Sequence, residues 1–198
     1  MHYDFIEIGT SDFDSVVEKS APDAVGLCVE PVGVYLAALP ERPNVKKIHA
    51  AVSFDNTRGY CDVYFMEPEV IADLGLPNWL RGCNSIGKPH IQHRILRCTH
   101  ALSIDKVRLM PVSELLSENN VESIDLLKVD TEGGDCSVLD WFLVEMLKNR
   151  NIAPKTIIFE SNSLTSQMEL GLILKLYSEF GYSIKSQEGD NIELVILP

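Results

Sequence analysis

The chain has 198 residues, 45% hydrophobic and 23% charged, with 29 acidic residues against 17 Lys and Arg and a net charge of −12. That size and composition suit one globular domain with a sizeable core, spanning residues 1–198. The acidic balance argues against a general nucleic-acid binder, because a negative surface repels phosphate backbones, and only residues 81–97 offer a local basic stretch.

The five cysteines, Cys28, Cys61, Cys83, Cys98 and Cys136, are scattered without CxxC spacing, so neither a zinc knuckle nor a thioredoxin-type site is expected. Reduced thiols fit a cytoplasmic compartment. The start, Met1-His2-Tyr3-Asp4, has no basic region followed by an apolar one, and no apolar stretch reaches the roughly 20 residues that span a bilayer.

In chain order, apolar runs with strand character alternate with helical patterns, which predicts a mostly parallel sheet with helices on both faces. The first run is 5–8, followed by a short helix around 14–19. Residues 25–29 form the second run, ending at Glu30, with a helix over 34–39. The third run is 48–52. Residues 60–65 alternate partially and read as an added strand near a sheet edge. Pro68, Pro77, Gly82, Gly87 and Pro89 punctuate 67–103; so long an irregular segment in a compact domain predicts a lid or binding loop. A short strand at 107–111 and a helix at 112–118 lead to a central strand at 124–129. A helix over 138–147, a strand at 156–159 and a helix over 166–180 follow. Strands at 182–186 and 192–197 flank Gly189, Asp190 and Asn191, so the chain closes with a hairpin.

Three strand ends carry candidate chemistry. At the first, Gly9 with the small Thr10 and Ser11 lets backbone N–H groups approach a ligand. The dinucleotide fingerprint GxGxxG is absent, and an acid near this turn suits an ammonium or sulfonium better than a pyrophosphate. Glu30 lies 21 residues after Gly9, where a carboxylate can accept hydrogen bonds from both ribose hydroxyls of an adenosine-containing ligand. Val32 could wall an adenine, and the small residues Ala51, Val52 and Ser53 could leave room for its other face. The segment IDLLKVDTEGGD, residues 124–135, stops an apolar strand at Asp130 and adds Glu132 before two glycines. That pattern fits either carboxylates at the ligand-binding edge of a sheet or a polar helix-capping end. In the irregular segment, His93 or His90 could supply a base with a pKa near neutrality. Lys128, inside an apolar strand, reads as one half of a structural salt bridge.

The ordered set EIGTSDFDS, GLCVEP, HAAVS, IDLLKVDTEGGD and IIFESN resembles the FkbM family of S-adenosylmethionine-dependent methyltransferases. Ile124, Asp125, Lys128, Asp130, Glu132 and Gly133 match the family pattern I-D-x-x-K-I-D-x-E-G, with Val129 in place of Ile. At the first turn the chain departs from the family's D-x-G-A-x-x-G, keeping an acid at Glu7 and one glycine at Gly9. It also begins only a few residues before the first strand, without the N-terminal extension that many methyltransferases fold over substrate.

The resemblance implies a Rossmann-like class I methyltransferase fold: a seven-stranded, mostly parallel sheet whose last two strands form an antiparallel hairpin. It implies S-adenosylmethionine as cofactor. The first turn (Glu7, Gly9, Thr10, Ser11) would hold the methionine part, Glu7 or Asp130 would meet its ammonium, Glu30 the ribose, and Val32 and Ser53 the adenine. It further implies methylation of a hydroxyl on a sugar or small metabolite. For that reaction the acids at the sheet edge offer Glu132 as base and Asp130 to position cofactor or substrate. The irregular segment offers His93 as a further catalytic candidate, against a structural or solvent-facing role for that histidine. No full metal ligand set is recognisable, although both acids suit a divalent cation. A homodimer is one expectation for an exposed lid. Two other functions share the pattern: an NAD-dependent oxidoreductase, which would also use Glu30 on a ribose, and a noncatalytic interaction module that retains the methyltransferase fold.

Overall fold

The computed structural model describes residues 1–196. The elements are β1 (His2–Ile8), α1 (Val16–Lys19), β2 (Gly26–Glu30), α2 (Gly33–Ala38), β3 (Val45–His49), β4 (Ala51–Val52) and β5 (Gly59–Phe65). Then come α3 (Pro68–Asp73), β6 (Ser85–Ile86), α4 (Ile91–Ile95), β7 (Ser103–Met110), α5 (Val112–Glu118) and β8 (Ser123–Val129). The chain continues through α6 (Asp135–Lys148), β9 (Thr156–Glu160), α7 (Gln167–Phe180), β10 (Tyr182–Glu188) and β11 (Asn191–Ile196). Leu197, the last residue of the expected final strand, lies outside the described residues.

Seven strands form the main sheet in the order β10-β11-β9-β8-β1-β2-β3. β3, β2, β1, β8 and β9 run parallel, and β11 is antiparallel to both of its neighbours. Both faces are covered. Phe5 and Cys28 pack with Val17 of α1 and Leu36 of α2. Ile6, Ile8, Leu27 and Val129 pack with Leu115, Val138, Phe142 and Ile173 from α5, α6 and α7. Each such fully buried side chain contributes roughly 1.5–3 kcal/mol relative to exposure. β2 is buried on both faces and reads as a near-continuous apolar run, whereas β8 is conspicuous through its buried Ile124, Leu127 and Val129 among half-buried residues.

The register sets the site. Ile8 pairs with Val29 on one side and with Val129 on the other, and Val129 pairs with Phe159. These four of the five parallel strands, β2, β1, β8 and β9, therefore reach the carboxyl edge level, and the residues after the paired ones, Glu30, Gly9, Asp130 and Glu160, form one row along it. Strand order reverses between β1 and β8, the place where open α/β sheets bind ligands.

Two expectations need correction. The apolar run 48–52 is not one strand: β3 begins earlier, at Val45, and β4 leaves the main sheet to pair with Leu109 and Met110 of β7. β3 is an edge strand, and edge strands tolerate lysines. Lys47 donates to the Leu39 carbonyl and Lys46 to Asn119, so the polar residues hide the strand in the sequence. Likewise β5 does not edge the main sheet. It lies inside a second, four-stranded sheet of order β4-β7-β5-β6, antiparallel to β7 from Gly59 opposite Leu109 to Phe65 opposite Ser103. The solvent-facing first half of β7 conceals its length. Val63, Phe65 and Val107 of this sheet pack on Val32 and Tyr35, tying it to the main sheet.

Candidate active site

Above the row of strand ends lies a cavity of about 600 Å³, within the range of small-molecule sites. Its floor is Ile8, Gly9 and Val29, its walls include Phe54 and Leu164, and its roof comes from the irregular segment, including Trp79, Cys83 and His90. That segment is built of short pieces: α3, β6, α4 and single helical turns at Asn78–Gly82 and Thr99–Ala101. It is fastened to the first turn. Arg81 pairs with Asp12 at 2.7 Å and lies over the Phe13 ring, and its carbonyl accepts from Ser11 Oγ.

Gly9 has φ +79°, and a Cβ there would lie 1.7 Å from the Asp130 carbonyl oxygen. Only glycine allows the two strand ends to meet so closely. Beyond it, Ser11 (φ 47°) and Glu132 (φ 54°) also adopt left-handed backbone. For residues with a Cβ this conformation is strained, by about 1–3 kcal/mol, and such strain clusters at ligand sites.

Glu30 is 2% exposed. Its Oε2 accepts the N–H groups of Thr10 and Ser11 at 2.9 and 2.8 Å, and its Oε1 accepts that of Val32 at 2.9 Å. A carboxylate offers about four lone-pair sites, so Oε1 retains one for a ligand. Burial pushes the Glu30 pKa up to about 7 against these three hydrogen bonds.

Asp130 borders the cavity and has no side-chain hydrogen bond among the described residues; burial raises it to about 6, opposed by the Lys128 charge. Glu160, level with it on β9, is raised to about 8 by burial and then by the charges of Asp130, Glu132, Asp135 and Asp190. Its Oε2 accepts from Asn162 at 2.6 Å. Glu132 Oε2 lies 3.3 Å from His90 Nε2. Oxygens of Asp130, Glu132 and Glu160 come within 4.8 Å of one another.

Neither Asp130 nor Glu132 caps α6, whose N-cap is Gly134 without a side-chain bond, and a different acid ties the strand ends. Asp135, in the first turn of α6, accepts from Thr131 N, Thr131 Oγ1 and Glu160 N, stitching the ends of β8 and β9 together. Asp130 and Glu132 are thereby left facing the cavity.

Four expected site residues do not line it. Glu7 is fully buried and committed to Lys128 Nζ at 2.9 Å and to the Val16 N–H at 2.8 Å, so Lys128 has the structural role expected of it. Val32 packs under Tyr35 and Val63, and its N–H orients Glu30. Ser53 shapes a turn, donating to Asp55 at 2.8 Å and accepting from Thr57 N at 2.9 Å; the cavity wall is the next residue, Phe54, whose ring lies against Gly134. His93 is fully buried, and burial depresses it to about 4; its neighbour His90 reaches the cavity instead. Conversely, Glu160 and Phe54 were missed. Glu160 had a signal: it follows the apolar run of β9 as Asp130 follows that of β8.

Among the described residues, no helix is long and apolar enough to cross a membrane. Comparison with curated proteins and with solved structures found no match. A family model described as the methyltransferase FkbM domain matches residues 24–184. The match starts after β1 and its turn, the part in which the chain departs from the D-x-G-A-x-x-G pattern. A sheet of this order, a cavity at its switch point and a family match over most of the chain agree: the chain belongs to the FkbM family of methyltransferases.

Proposed function

We propose that the chain is an S-adenosylmethionine-dependent O-methyltransferase acting on a hydroxyl of a sugar or small metabolite. The observation that carries this reading is the row of Glu30, Asp130 and Glu160 with Glu132 around one cavity, at the point where the strand order reverses. A ligand with an ammonium and a sulfonium suits so many carboxylates. A dinucleotide would bring a pyrophosphate against them, which disfavours the oxidoreductase alternative.

The chain's residues fit that cofactor. Glu30 keeps one Oε1 lone pair for a ribose hydroxyl, and the Thr10 and Ser11 N–H groups hold its other oxygen in place. Asp130, whose side chain makes no hydrogen bond among the described residues, takes the ammonium. Bound there, the cofactor supplies an electrophilic methyl group on sulfur. Glu132 receives the acceptor's hydroxyl proton as the oxygen forms its bond to the methyl carbon and the carbon–sulfur bond breaks. The products are a methyl ether, a neutral thioether and protonated Glu132. Holding the oxygen in line supplies much of the rate, and the base typically adds about 10²–10⁴-fold.

The test is transfer of labelled methyl from S-adenosylmethionine to a panel of polyols, sugars and phenols. The expected result is label on an acceptor oxygen, with Glu132→Gln lowering kcat about 100-fold or more and leaving cofactor affinity nearly unchanged. Hydride exchange with NAD would favour the oxidoreductase. Cofactor binding without transfer to any acceptor would favour the noncatalytic module.

A further inference from the structure

Three of the cavity's carboxylates face one another without a dedicated counter-ion. One oxygen each of Asp130, Glu132 and Glu160 lies within 4.8 Å of the other two. The cation in the cavity lining, Lys128, is held elsewhere, 2.9 Å from Glu7 Oε1 and donating to the Asp14 carbonyl at 3.2 Å.

An independent feature comes from a different element. His90 caps the start of α4, its Nδ1 accepting the Gln92 N–H at 3.3 Å, so in the neutral ring the proton sits on Nε2. The residue is 7% exposed, and its Nε2 has no hydrogen-bond partner among the described residues. This nitrogen lies at the acidic cluster, 3.3 Å from Glu132 Oε2, without forming a hydrogen bond to it. Buried donors are rarely left unmet, and this one sits beside the cluster where a ligand's oxygen would satisfy it.

We propose that Asp130, Glu132 and Glu160 form a binding site for a hard divalent cation, Mg2+ or Mn2+, each giving one oxygen, with the second Asp130 oxygen left for the cofactor's ammonium and His90 Nε2–H donating to a cation-bound oxygen. Three carboxylates and no sulfur make a donor set for hard cations. The His90 tautomer keeps a nitrogen lone pair out of the cluster, which disfavours zinc. Such cations take about six oxygens, so three protein oxygens leave positions open toward the cavity. Resting on the methyl-transfer reading, those positions select an acceptor with two adjacent oxygens, a vicinal diol or a hydroxy-carbonyl compound, which chelates the cation. A coordinated hydroxyl is more acidic than a free one, and its proton passes to the Glu132 oxygen not engaged by the cation.

The test is Mn2+ titration of the full chain, following the free-ion signal by electron paramagnetic resonance, for wild type, Asp130→Asn, Glu160→Gln and His2→Ala. The last removes a ligand of the exposed cluster of His2, Asp4 and Asp125, the competing locus. One equivalent is expected to bind wild type and His2→Ala equally, to be displaced by Mg2+, and to bind each cavity variant at least about 10-fold more weakly. Thermal unfolding without metal checks that the variants fold, and two of them guard against the loss of one. No saturable binding at millimolar Mn2+, or binding lost in His2→Ala and kept in Glu160→Gln, overturns the site. A parallel S-adenosylmethionine titration separates the two readings: cofactor binding without Mn2+ binding sinks the cation site alone, and Mn2+ binding without cofactor binding sinks the methyl-transfer reading alone.

Discussion

Glu7 and Glu30 are both buried acids near strand ends, and packing assigns them opposite work. Glu7 meets Lys128 and the first N–H of α1, and becomes part of the scaffold beneath the site. Removing only one partner of such a pair strands a buried charge, at about 3–5 kcal/mol. Lys128→Met is therefore expected to lower unfolding stability by that order, and adding Glu7→Gln should recover much of the loss in a denaturant titration. Equal stability of Lys128→Met and wild type would contradict the assignment. Glu30 has no charged partner, only N–H groups and, at 3.5 Å, the Thr10 hydroxyl, and so keeps an Oε1 lone pair for a ligand. In the sequence the two differ by little: each is an acid beside apolar residues. What separates them is the Lys128 ammonium 121 residues away, which no local pattern reveals.

At the scale of elements, the parallel strands were legible and the cover over them was not. β2 is buried along its whole length and β8 carries buried Ile124, Leu127 and Val129, so their apolar runs announce them, and Asp130 at the end of β8 could be singled out. Glu160 follows the same rule on β9, but a lone acid before Ser161 and Asn162 looks like turn chemistry until register places it beside Asp130. The second sheet escaped because β4 is only two residues long and half of β7 faces solvent. The cover has its own core, in which Met66, Ile71, Leu80, Cys83 and Cys98 pack together. His93 lies buried at α4 with neither ring nitrogen partnered among the described residues. Its pKa is depressed to about 4 by burial and by His90, so between about pH 6.5 and 4 the unfolded chain binds a proton that the folded one does not. Stability contributed there is present above the unfolded pKa and lost as pH falls through that window. Unfolding midpoints of wild type should drop between pH 7 and 4.5 more than those of His93→Leu. Replacing an unpartnered buried ring by an apolar side chain should cost little at pH 7.5. Parallel pH profiles for the two proteins would contradict this.

For the whole molecule, the acidic balance reaches the cavity, whose lining holds six acids and one lysine, Lys128. Glu30, Asp130, Glu132, Glu160 and Asp190 all border one cavity, and a cleft of one sign focuses its field on cationic ligands. The expected fold emerges because level strand ends, a glycine at the reversal of strand order and an acid on each neighbouring strand are mutually consistent. The measurement that bears most directly on this arrangement is calorimetric titration of S-adenosylmethionine into wild type and Glu30→Ala, at pH 6 and pH 8. Glu30, raised to about 7, accepts more strongly from the ribose when ionised, so wild-type affinity should rise between the two pH values. By linkage, the same raised pKa means that the ligand-free fold loses Glu30's contribution to stability as pH rises from the unfolded value through about 7. At pH 8, loss of a hydrogen bond to a charged group should weaken binding in Glu30→Ala at least about 10-fold. Saturable binding that is equal in the two proteins, or NAD binding in the absence of S-adenosylmethionine binding, would contradict the account.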